Sequence, residues 1–155
     1  MPTSRVRILP SNNARYASVR AILYAATAAN PISLPIQTRL ADNRRSPLVE
    51  EAFSGMKVQS RIHDFLVSIR RGRFVHRFHI FLKNHKHLTV NAAVLALIPG
   101  CQWHGDILIM RSGSTTNGVV NLRARDGPLV RCLLRRFLRV AHQGRRLTVP
   151  KNLEF

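Results

Sequence analysis

Tyr16, Val19, Ile22, Leu23 and Ala26 recur at helical spacing and predict a helix from an Asn13 cap to about residue 29. Asn30 and Pro31 end it, because a residue before proline avoids the α region. Residues 30–45, with Pro31, Pro35 and the polar run Asp42 to Arg45, read as a connector. Ser46 then reads as an N-cap, with Pro47 at the first helical position and Glu50 and Glu51 near the positive end of the dipole. Gly55 breaks that helix. Ile62, Phe65, Leu66 and Ile69 form an i, i+3, i+4, i+7 stripe, which predicts a helix over about 57–71. Arg70 and Arg71 sit at its negative end, and Gly72 serves as the left-handed cap.

The pattern changes at Phe74. Residues 74–83 are dense in aromatic and β-branched side chains and predict a strand buried on both faces. Asn91–Ile98 predicts a short apolar helix stopped by Pro99 and Gly100. Asp106–Arg111 and Val119–Arg123 predict an antiparallel hairpin, its loop ending in Asn117-Gly118. Asp126, Gly127 and Pro128 open a final helix over 127–142, closed near Gly144. Its Leu133 and Phe137 face is expected to pack on the hairpin. The fold class is therefore α+β: a small single domain over 13–144, with an antiparallel hairpin and a capped amphipathic C-terminal helix. Residues 1–12 and 145–155 read as loose termini.

Composition supports a real core. The chain has 155 residues, 45% of them hydrophobic, which argues against a disordered basic tail. Cys101 and Cys132 make no disulfide framework and fit a reducing, intracellular compartment. The longest apolar run, Ala92–Pro99, is far too short to span a membrane. Residues 1–41 hold five Arg and no acid, so a mitochondrial presequence is a competing reading of the N-terminus.

Charge is the strongest global signal. Lys and Arg number 25 against 7 acids, a net charge of +18. Salt bridging cannot absorb that excess, which attracts polyanions. Arg supplies most of it, and its planar fork suits phosphate.

Several constellations fail on inspection. Gly113 to Gly118 imitates half a phosphate-binding loop, but Val119 and Val120 stand where Lys and Ser or Thr are needed. His76, His79, His85, His87, Cys101 and His104 invite zinc, yet on a strand His76 and His79 point to opposite faces. We expect no metal and no cofactor. Cys101, His104 and Asp106 lie too close in sequence to converge freely as a nucleophilic set. Asp106 is better read as a structural charge that accepts from loop amides or pairs with Arg111 or Arg123. Asp106→Asn is then expected to cost about 1–3 kcal/mol and to spare any polyanion binding.

The last helix carries the functional expectation. Arg131, Arg135, Arg139 and His142 line the face opposite its apolar one. No acid after Asp126 relieves the Arg–Arg repulsions along it, each about 0.2–0.5 kcal/mol. Arg70, Arg71, Arg73 and Arg77 extend the patch if the fold brings them to the same side. The expected function is binding of a phosphate-rich partner, RNA or a ribonucleoprotein first, without catalysis. The alternative is a protein-interaction or scaffold domain whose charge is incidental.

Overall fold

Strand alternation prevails over helical spacing in the first half of the chain. The computed structural model describes residues 15–53, 61–83, 85–113, 118–141 and 151–155. Tyr16–Tyr24 forms β1 rather than a helix, Ile32–Ala41 forms β2 and Arg44–Pro47 forms β3. The misleading feature is Ala21 to Tyr24. Ala21 faces one apolar cluster and Tyr24 the other, so both strand faces carry apolar side chains. A run apolar on both faces satisfies a helical template as well as a strand.

The expected connector is a hairpin. Ala41 pairs with Arg44 across Asp42 and Asn43, both at positive φ (53° and 59°). Those angles belong to a type I′ turn, which matches strand twist and favours Asp and Asn. Pro35 is tolerated within β2 because β3 pairs only with residues 38–41. Pro35 lies opposite Arg20, whose own amide donates to Asn121 Oδ1, away from β2. Its missing N–H therefore faces the open edge of β2. Ser46 is likewise in a strand and not a cap. A short 3-10 turn, Val49–Phe53, follows, with Glu50 and Glu51 in its first turn. Gly55 lies outside the described residues.

The predicted 57–71 helix is also a strand, β4 (His63–Arg71), paired along its length with β5 (Phe74–Leu82). Val67 shows why: it lies off the helical stripe and yet is fully buried, between Phe65 and Ile69 on the same strand face. Gly72, at φ 61°, turns the two-residue connection to β5 instead of capping a helix. The strand expected from Phe74 is present, with Phe78 to Leu82 all buried.

The expected second-half elements are present in outline, but the second hairpin strand covers only Val119–Val120 of the expected 119–123, and Asp126 lies in a 3-10 turn instead of capping the last helix. Asn91 caps α1 (Ala92–Leu97). β6 (Ile107–Ser112) and β7 (Val119–Val120) pair antiparallel, with Gly113 N–H donating to Gly118 O across the loop. Asn117 lies outside the described residues. A 3-10 turn, Ala124–Asp126, leads into α2 (Gly127–Ala141). The stretch expected to be loose at the C-terminus contributes β8 (Asn152–Glu154), parallel to β4. His142, Gly144 and residues 1–14 lie outside the described residues.

The strands form one curled, mainly antiparallel sheet, in the order β3-β2-β1-β6-β5-β4-β8, with β7 also on β6. The curl brings Gly118 to a bridge with Arg45 of β3. Each face carries a core. On one, α2 packs Leu133, Leu134 and Phe137 against Tyr24, Phe65, Val67, Phe78, Ile80, Ile107 and Ile109. The Phe65 and Phe137 rings lie 5.4 Å apart and tilted. The expected helix-on-hairpin packing thus extends across β4 and β5. On the other face, Val19, Ile36, Phe53, Phe81, Leu108 and Met110 fill the curl under the first 3-10 turn. Burying each such side chain contributes about 1.5–3 kcal/mol. Among the described residues, no helix is long and apolar enough to cross a membrane.

One buried polar side chain ties these parts together. Asn91 is fully buried, and its Nδ2 donates to both Tyr24 O and Gly105 O at 2.8 Å. Its Oδ1 accepts from Val94 N–H at 2.9 Å. It thereby joins the end of β1, the turn before β6 and the first turn of α1.

Candidate anion-binding surface

Packing decides which face of α2 is free. Val130, Leu133, Leu134, Phe137, Leu138 and Ala141 are buried, which turns Arg131, Arg135 and Arg139 outward, all exposed. Successive members of this ridge are four residues apart and rise about 6 Å per step. No acidic partner holds them among the described residues. The ridge is felt at the end of β1: burial holds the Tyr24 phenol above its ordinary pKa, while the charges of Arg131 and Arg135 pull it back down.

The β4–β5 arginines divide between the two faces. Side chains alternate along a strand, and Phe65, Val67 and Ile69 face α2. Arg71 therefore shares the α2 side, where its Nη2 donates to Cys132 Sγ at 2.9 Å. Arg70 falls on the opposite face, as does Arg77, which pairs with Ser68. Arg73 occupies the two-residue turn. Of these four, the fold brings Arg71 beside the ridge and takes Arg70 and Arg77 away from it.

A second basic cluster had little sequence signal, because it joins β5, β6 and the turn before α2. Arg111 Nη1 donates to Asp126 Oδ1 at 3.1 Å, and its Nη2 to His76 Nδ1 at 2.9 Å. Its guanidinium also lies over the Phe78 ring, 5.4 Å from the centroid. Asp126 Oδ2 accepts from Arg123 N–H at 2.8 Å, so both carboxylate oxygens are engaged. Asp126 thus braces the turn before α2. A cavity of about 390 Å³ opens here, lined by Arg111, Val120, Asn121, Arg123, Arg125 and Asp126.

His76 makes this cluster pH-sensitive. Burial, then Arg111, lowers its pKa, with Asp126 opposing and Arg71 adding to the fall. The unfolded chain takes up this proton below about pH 6.5, whereas the native state resists it. The associated stability is complete above that pH and is lost as pH falls towards the depressed native value. His76→Asn keeps an acceptor for Arg111 without titrating. The variant is expected to lose less thermal stability than the parent between about pH 7.5 and about pH 5.5. Equal losses in melting experiments would remove His76 as a source of the acid sensitivity.

The remaining chemistry-bearing residues have structural partners. Asp106 Oδ1 accepts Ala26 N–H at 2.7 Å, as the loop-amide reading requires. Its alternative partner Arg111 is held by Asp126 instead. Gly105, at φ 92°, permits this turn: a Cβ there would meet Lys83 O at 2.8 Å. Asp106→Ala is expected to cost about 1–3 kcal/mol in urea unfolding; Asp106→Asn keeps an acceptor oxygen for the Ala26 amide, which revises its expected cost to below that same range read from the sequence. A wild-type midpoint for the alanine variant would contradict this role. His104 Nδ1 donates to Leu88 O at 2.8 Å, and burial pushes the Cys101 thiol pKa up. A buried thiol of this kind is a poor nucleophile. His76 and His79 face opposite sides of β5, His79 contacting Asp64 at 2.9 Å. Among the described residues, no three His, Cys, Asp or Glu side chains converge as a metal site.

Comparison with known proteins adds no relative: no protein-family model, no curated protein and no solved structure matches the chain.

Proposed function

We propose that the chain binds single-stranded nucleic acid, RNA first, through the outer face of α2. The observation that carries this reading is the exposed ridge Arg131, Arg135 and Arg139, without an acidic partner among the described residues, on a chain of net charge +18. Arg71 widens the ridge on the β4 side, and Arg73 lies at the adjoining hairpin tip. Guanidinium groups one turn apart loosely match successive phosphates of a strand. Most aromatic rings have core duties, among them Trp103, Phe65, Phe78 and Phe137. Phe74, 65% exposed beside the hairpin tip, is free to stack on a base. Binding is therefore expected to show little sequence preference.

The reading is tested by titrating the protein with single-stranded RNAs of differing sequence over a range of salt. Affinity is expected to fall steeply with salt and to vary little with sequence. Absence of binding at low salt would favour the scaffold reading, in which the charge is incidental.

A further inference from the structure

The cavity before α2 combines unpaired cations with a fixed frame. Arg111 is committed to Asp126, His76 and Phe78, and its charge offsets that of Asp126. The guanidinium groups of Arg123 and Arg125 have no such partner among the described residues, so the site keeps an excess of two positive charges. Asn121 Oδ1 is taken by Arg20 N–H at 2.8 Å, which leaves its Nδ2 as a donor. The backbone around these groups is pinned on each side. Arg111 pairs with Val120, Leu122 N–H donates to Arg20 O, and Arg123 N–H donates to Asp126. The volume, about 390 Å³, is within the range of small-ligand sites and well beyond one phosphate group.

The cavity also lies close to the start of the ridge. It opens at the N-terminal end of α2, and Arg131 reaches back towards it: Nη1 lies 4.0 Å from where a Cβ on Gly127 would stand. A strand following Arg139, Arg135 and Arg131 would therefore end here. A terminal phosphate monoester carries up to two charges, against one on each internal phosphodiester, and offers three acceptor oxygens. That matches two unpaired forks and an amide donor.

We propose that this cavity is a phosphomonoester site, which receives the terminal phosphate of a nucleic-acid strand lying along α2. The proposal rests on the ridge reading, and two kinds of probe separate them. Short RNAs with a 5′-phosphate, a 3′-phosphate or hydroxyl ends are titrated into the wild type and into Arg123→Gln/Arg125→Gln. The fold of the variant is checked by circular dichroism. One phosphorylated end is expected to bind the wild type about tenfold more tightly than the hydroxyl ends, about 1.4 kcal/mol. The double variant is expected to lose that advantage and to keep its affinity for hydroxyl-ended RNA. Equal binding of all three RNAs by the wild type, or an advantage that survives the double substitution, overturns the proposal. If no RNA binds, the ridge reading fails, and a free nucleoside monophosphate tests the cavity by calorimetry. Binding abolished by the double substitution retains a phosphomonoester site that serves free ligands; no binding removes the site.

Discussion

Asn91→Asp is expected to destabilise the fold by about 3–5 kcal/mol at neutral pH, a large part of the stability of a domain this size. The substitution is nearly isosteric, so packing hardly changes. What changes is the sign of one atom's role. Asn91 Nδ2 donates to Tyr24 O and to Gly105 O; a carboxylate oxygen there faces two carbonyl oxygens with nothing to donate. The contact from Val94 N–H to the other oxygen survives, so the helix cap itself is retained. The loss is therefore one of tertiary connection rather than of helix propensity. The position is fully buried, so the substituted carboxylate is cut off from bulk solvent.

The pH dependence separates this cause from simple misfit. A buried carboxyl beside two carbonyls has its pKa raised, so the native variant binds its proton more readily than the unfolded chain does. The penalty is then expected to shrink as pH falls, because a protonated carboxyl can donate once. Urea unfolding of both proteins over a pH series checks this. A variant as stable as the parent near neutral pH, or a penalty that grows in acid, would contradict the role assigned to Asn91.

How far the sequence foretold the fold depended on how many faces each strand buries. α2 has one buried face and one charged face, and its spacing reads unambiguously. α1 and the β6–β7 hairpin carry short punctuating signals, Asn91 before an apolar run and Gly118 at the turn. β1 and β4 mislead for the opposite reason: both parities carry apolar or half-buried residues, so helical and strand templates fit equally well. Val67 was the available clue in β4, an apolar residue where a helix would expose it. Asp42 and Asn43 encode a type I′ turn less openly than Asn-Gly does, and Pro35 resembles a breaker until β3 is seen to stop short of it.

The candidate site divides in the same way. The ridge is local, residues four apart on one helix, and was legible from spacing alone. Whether Arg70, Arg71 and Arg77 join it depends on strand parity, which a helical reading of 57–71 inverts. The cavity joins residues from β6, β7 and the following turn, with His76 of β5 behind them, and only the folded sheet assembles those. Asp126 reads from the sequence as the cap of the last helix, whereas its carboxylate holds Arg111 and the Arg123 N–H of the preceding 3-10 turn, and only the folded sheet reveals those partners.

The ridge carries the second large effect. Arg131→Ala/Arg135→Ala/Arg139→Ala removes three exposed guanidinium groups and no buried atom of the core, so the fold is expected to persist. If each Arg meets one phosphate and contributes about 1 kcal/mol, RNA affinity falls about a hundredfold near 0.1 M salt. The magnitude is sensitive to conditions, whereas the salt slope counts contacts directly. Each lost phosphate contact lowers the slope of log K against log salt by about 0.7–0.9, so three lower it by about 2–3. Arg70→Ala/Arg77→Ala, on the opposite face of the sheet, is the matched control and is expected to leave the slope nearly unchanged.

The most direct measurement is a salt titration of single-stranded RNA binding by the wild type, the ridge triple variant and the Arg70/Arg77 control, with each fold verified by circular dichroism. The slope is expected to fall by about 2–3 in the triple variant alone. Equal slopes and affinities for the wild type and the triple variant would contradict it.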